Sequence, residues 1–147
     1  MPAMTSLAMQ FALHGSVALL SGLIGGLFLA RAIKQGRGEV AWRVVHAGGC
    51  SAGAMLLAIA APSQWTALGH TLLLVMATGL IAGSYLLCLG MYAAAIRGTR
   101  GIPGGGSTSN RIVSGLYAVG TIMTVCGGGL LAIGLAAQSW SPSQQLP

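Results

Sequence analysis

Acidic side chains are almost missing from this chain. Glu39 is the only one in 147 residues, and charged residues of both signs make up 5% of the sequence against 54% apolar. An ordinary soluble domain carries roughly 25% charge. Seven basic side chains and one acidic one cannot clothe a water-facing surface, so lipid must be the solvent for most of the outside. The same shortage excludes chemistry. No carboxylate lies in any long apolar run, which removes paired-carboxylate acid–base catalysis and the usual ligands of hard metal ions. It also removes the membrane-embedded acid that a proton-coupled small multidrug transporter needs. Cysteine is scarce and scattered: Cys50, Cys88 and Cys126 stand singly, without the paired spacing of a metal site, and read as small hydrophobes. No basic residue precedes the first apolar run, and that run is too long for a cleavable leader, so none is expected. The alternating pattern of a membrane barrel is absent too.

What is present is long apolar runs. Four helices are expected, over about residues 9–32, 42–61, 67–96 and 111–137. Each is about 20 or more residues long, enough to cross a hydrocarbon core of about 30 Å. The expected fold is all-α: a four-transmembrane-helix bundle forming a single membrane domain over 1–147, with a loose polar tail at 138–147. Pro62 ends the second helix, because proline cannot continue the hydrogen-bond ladder. Arg31, Lys34, Arg37 and Arg43 flank the first loop, and Arg97, Arg100 and Arg111 flank the third. All seven basic residues therefore fall on one side, which the positive-inside rule makes cytoplasmic, with both termini outside in a bacterial-type inner membrane. The net charge of +6 thus reads as orientation, and no nucleic-acid partner is expected. Trp42 is placed at the inner interface and Trp65 and Trp140 at the outer one, as aromatic anchors. The glycine-rich stretch after Ile102 lacks the lysine and spacing of a phosphate loop and reads as a flexible connection.

Small residues recur four apart: Gly22 and Gly26, Gly49 and Gly53, Gly79 and Gly83, with Gly127, Gly128 and Gly129 thinning the last helix. Such notches let helix backbones approach closely, within one bundle or between protomers. A slim four-helix bundle encloses little space, which favours an oligomer. Ionisable groups inside a membrane are costly and are the candidates for function. His46 heads them, as a neutral imidazole that either bonds a backbone carbonyl or hydroxyl, or ligates iron. His14 and His70 are expected at similar depth near the outer ends of their helices, facing each other or snorkelling to the interface. Tyr85 lies mid-membrane, where its hydroxyl must find a partner. Ser84 can satisfy its own hydroxyl on its helix.

The run Trp42-Arg43-Val44-Val45-His46-Ala47-Gly48, followed by Ala52-Gly53-Ala54-Met55, resembles the second helix of styrene oxide isomerase and the equivalent stretch of hydroxylaminobenzene mutase. Leu13-His14-Gly15 in the first helix and Gly83-Ser84-Tyr85-Leu86 in the third extend the resemblance. Ile102-Pro103-Gly104-Gly105-Gly106 and Val125-Cys126-Gly127 are closer to the mutase. Together the motifs span about residues 9–137, and specificity rests on their order.

The resemblance implies a trimeric four-helix membrane isomerase that holds haem b between protomers through a helix-two histidine, which is His46 here. Ferric iron then acts as a Lewis acid on an epoxide or arylhydroxylamine, with no net redox. The substrate is expected to be small, apolar and aromatic, arriving from the membrane lipid. A tyrosine and an asparagine position the substrate in the family. The tyrosine corresponds to Tyr85, and the asparagine to Ala52, which cannot hydrogen-bond a substrate oxygen. His46 and Ala52 are six residues apart and point about 120° apart around a helix. They would therefore serve one haem from different chains, His46 from one protomer and Ala52 with Tyr85 from its neighbour. The rival expectation is a b-type haem electron-transfer or membrane-anchor subunit, with His14 and His70 as paired ligands; a non-catalytic packing subunit is a third.

Overall fold

A computed structural model describes residues 2–102 and 106–140, with side chains from residue 7 onward. It contains four long helices: α1 (Pro2–Gln35), α2 (Glu39–Ala60), α3 (His70–Arg97) and α4 (Thr108–Ser139), with a 3-10 turn at Pro62–Trp65 between α2 and α3. There is no strand among the described residues. All four helices are long and apolar enough to cross a membrane, so the chain is an integral membrane protein. The expected centres hold, but the ends shift for local reasons. The turn between α1 and α2 shortens to Gly36–Gly38, because two glycines with positive φ, Gly36 and Gly38, reverse the chain in three residues. α3 starts later than expected. Thr66 and Gly69 are extended, and the Ala67 N–H donates to the Gly134 carbonyl of α4 at 3.2 Å. α4 starts earlier, because the Ser107 hydroxyl caps it by accepting from the Asn110 N–H at 3.2 Å. The Asn110 side chain also donates to the Ile102 carbonyl at 2.6 Å. Ser139 belongs to α4; the rest of the expected tail, beyond Trp140, and residues 103–105 of the glycine stretch lie outside the described residues.

The bundle is two hairpins. α1 packs along α2, and α3 along α4, while α2 and, less extensively, α1 join the hairpins through α3. Glycines make both seams close. A Cβ at Gly49 would lie 2.7 Å from the Gly22 Cα, and one at Gly127 would lie 2.9 Å from the Leu80 N and the Met76 O. The paired glycines of the sequence thus serve contacts inside one chain. Gly128 and Gly129 face open space, so only Gly127 of that triplet thins α4 for packing. The buried core (Phe11, Leu56, Met76, Ala77 and Leu80) lies in the half of the bundle away from the basic loops. Elsewhere large apolar side chains face outward, Leu27 being 73% exposed, as lipid-facing helices require.

Candidate functional site

His46 sits on α2, half-buried in the seam with α1. Its Nδ1 lies 2.9 Å from the Gly22 carbonyl oxygen. A carbonyl only accepts, so Nδ1 carries the proton, and Nε2 of the neutral ring keeps its lone pair. Cys50 Sγ, one turn on, is 3.8 Å from the same Nδ1. The ring fits because position 26 has no side chain: a Cβ at Gly26 would come 2.9 Å from Nδ1 and 3.2 Å from Cε1. Gly26, noticed in the sequence only as half of a packing pair, is the notch that receives the imidazole.

Tyr85 lies on α3, and its hydroxyl is 2.9 Å from His14 Nδ1 of α1. The two rings meet edge to face with centroids 5.6 Å apart. This is the partner that a mid-membrane phenol requires. It also removes the expected pairing of His14 with His70. His70 is the first residue of α3 and is exposed. It stands 15 residues before Tyr85, about 22 Å along the helix. His14 and His70 are therefore at different depths, and the bis-histidine site expected from them does not form in this chain.

The Tyr92 hydroxyl donates to the Ser21 carbonyl at 2.6 Å. Its ring meets Trp42 at 6.0 Å, and Trp42 stacks on Phe28 at 4.6 Å. Trp42 is half-buried in this aromatic cluster, and Trp65 and Trp140 are exposed. The Ser84 hydroxyl bonds its own helix, donating to the Leu80 carbonyl at 2.7 Å.

His46 and Tyr85 are not brought together within one chain. Gly48 of α2 faces Met91 of α3. His46, two residues earlier, points about 160° away from that direction, while Ala52, four residues later, points within about 40° of it. Antiparallel counting from the Gly48–Met91 contact sets Ala52 opposite position 87, within about 3 Å along the axis of Tyr85. The same counting sets His46 opposite position 93, about 12 Å from Tyr85 towards the basic loops. Ala52 and Tyr85 thus share one level on the α3 side, and His46 occupies the opposite flank. Among the described residues no group of three or more His, Cys, Asp or Glu could hold a metal ion. A bare ion would lack donors here; a metal that brought its own macrocyclic donors would need one imidazole from the protein, and His46 would be the residue to hold it.

No curated protein and no solved structure matches the sequence. A family model described as styrene oxide isomerase matches residues 7–136, a stretch that reaches into all four helices and includes His14, His46, Ala52 and Tyr85. On that match, which covers most of its length, the chain belongs to the styrene oxide isomerase family.

Proposed function

We propose that the chain is a haem-b-dependent isomerase that rearranges a small aromatic epoxide or arylhydroxylamine inside the membrane, without net redox. The observation that carries this reading is the hydrogen bond from His46 Nδ1 to the Gly22 carbonyl. Histidines that ligate metals ordinarily anchor their second ring nitrogen in this way, which fixes the tautomer and aims the other nitrogen. A neutral imidazole carries no charge into lipid, and the Gly26 notch gives the ring its place. When bound, the haem supplies a ferric Lewis acid for the substrate oxygen.

The chain's own residues supply orientation and dryness. With its Nδ1 protonated, His14 donates to the Tyr85 oxygen and leaves the phenol proton free to hold the substrate oxygen. Ala52 at the same level offers only a methyl wall. Tyr85 therefore takes the whole orienting role that the family divides between a tyrosine and an asparagine. Apolar helices exclude water from the pocket and admit an apolar aromatic substrate from the bilayer. The reaction breaks a C–O or N–O bond and moves a group within the same molecule. Atoms and electrons balance with no outside oxidant or reductant.

Because His46 and Tyr85 lie on opposite flanks, one chain cannot apply both to one substrate. The reading therefore assembles the site between protomers of a homo-oligomer, a trimer by family resemblance. In it the His46 flank of one chain faces the Tyr85 and Ala52 flank of the next. Such a head-to-tail contact closes into a ring. The positive-inside rule orients this assembly with its basic loops in the cytoplasm and both termini outside.

The test is an absorbance spectrum of detergent-purified protein, oxidised and then reduced. A strong Soret band at near-stoichiometric haem, lost in His46→Ala while that variant still inserts, is the expected outcome. A flat spectrum after expression with ample haem, or unchanged haem in His46→Ala, overturns the reading.

A further inference from the structure

A groove lies on the α3 side of α2, the flank opposite to His46. It has a volume of about 710 Å³ and opens beside the basic loops, between the start of α2 and the end of α3. Its floor is apolar, with Val40, Val44, Met91 and Ala95, and its mouth carries Arg37 and Arg100. These arginines come from different loops, and both are exposed. Neither has an acidic partner: the only acidic side chain in the sequence, Glu39, also lines the groove but is paired with Arg43. Thr99 in the wall holds the one buried side-chain oxygen left without a hydrogen bond among the described residues. A buried hydroxyl in that state is costly unless something supplies a partner.

The groove therefore asks for a molecule with an anionic, oxygen-rich end and a long apolar body. We propose that it binds one anionic phospholipid of the surrounding leaflet. Its phosphate lies at Arg37 and Arg100, and one acyl chain lies along Val40, Val44, Met91 and Ala95. Charge complementarity selects the head, because two uncompensated guanidiniums at a membrane surface attract anionic lipid strongly. The apolar floor selects a lipid over free phosphate, since an inorganic anion would leave the floor uncovered. The bound lipid bridges the α1–α2 turn and the α3 end, which line the groove from its two sides.

The experiment is native mass spectrometry of the full chain, delipidated in mild detergent and titrated with phosphatidylglycerol or phosphatidylcholine. Wild type should retain phosphatidylglycerol about 10- to 30-fold better than phosphatidylcholine, as two surface arginines would produce. R37Q/R100Q should lose that preference. R31Q/R111Q removes the same charge outside the groove and should keep it. Equal loss in both double variants would mean diffuse surface charge and would overturn the proposal. So would displacement of the lipid by millimolar inorganic phosphate, or no preference in wild type. Haem content is not read in this assay, so its outcome is independent of the proposed isomerase activity.

Discussion

At the scale of single residues, the informative pair is Tyr85 and His14. Their hydrogen bond joins α1 to α3, two helices long and apolar enough to cross a membrane. Tyr85→Phe leaves the half-buried His14 nitrogen without its partner, which costs about 1 kcal/mol. If Tyr85 orients the substrate, Tyr85→Phe should lower kcat by about 10²-fold with styrene oxide as the probe substrate, the usual scale for a positioned proton donor. Haem content should stay near wild type, because His46 is untouched. His14→Ala should lower kcat less, because the phenol remains but is no longer held. A Tyr85→Phe variant with wild-type kcat would remove Tyr85 from the site. Both residues were legible in the sequence as candidates; their partnership was not. Tyr85 and His14 are 71 positions apart, and no periodicity relates residues on two different helices.

At the scale of the helix, neighbouring glycines on α4 separate a packing role from a compositional one. Gly127 meets α3 backbone, whereas Gly128 faces open space. Gly127→Ala should destabilise the α3–α4 hairpin by about 1–3 kcal/mol, the scale of overpacking. Gly128→Ala should be neutral or stabilising by up to about 1 kcal/mol, since glycine inside a helix is the less favourable residue. Denaturant titrations of the two variants in detergent micelles check this, and equal effects would mean that the seam is not tight at Gly127. The four spans themselves were legible from hydropathy and proline placement, because length and apolarity alone decide what crosses a bilayer. Their ends were not. The Ser107 cap and the extended stretch from Thr66 to Gly69 depend on hydrogen bonds to Asn110 and Gly134, which hydropathy does not register.

At the scale of the whole molecule, the proposed site needs two protomers, and this is testable without a structure of the assembly. His46→Ala and Tyr85→Phe should each be poorly active alone. Co-expressed in one membrane, they should regain activity, because a mixed ring contains interfaces with an intact His46 from one chain and an intact Tyr85 from the next. Random mixing in equal amounts gives about a quarter of the interfaces both groups. Recovery towards that fraction of wild-type activity supports a site between chains. No recovery, with both variants present in the membrane, would place the site within one chain.

The sequence by itself determined the solvent, the span number and the shared side of the basic loops. These follow from local quantities: apolar length, the near absence of acids and the positions of seven cations. It also identified His46, Tyr85 and Ala52 as residues to watch, through short motifs in a particular order. Only the tertiary structure decided what each one meets. It gave His46 the Gly22 carbonyl and the Gly26 notch, joined Tyr85 to His14, and separated His14 from His70. It also set Arg37 and Arg100 around one groove. Residues on different helices share a place only through the register of packed seams. Here that register is set by glycines whose contacts are backbone to backbone, which hydropathy does not encode.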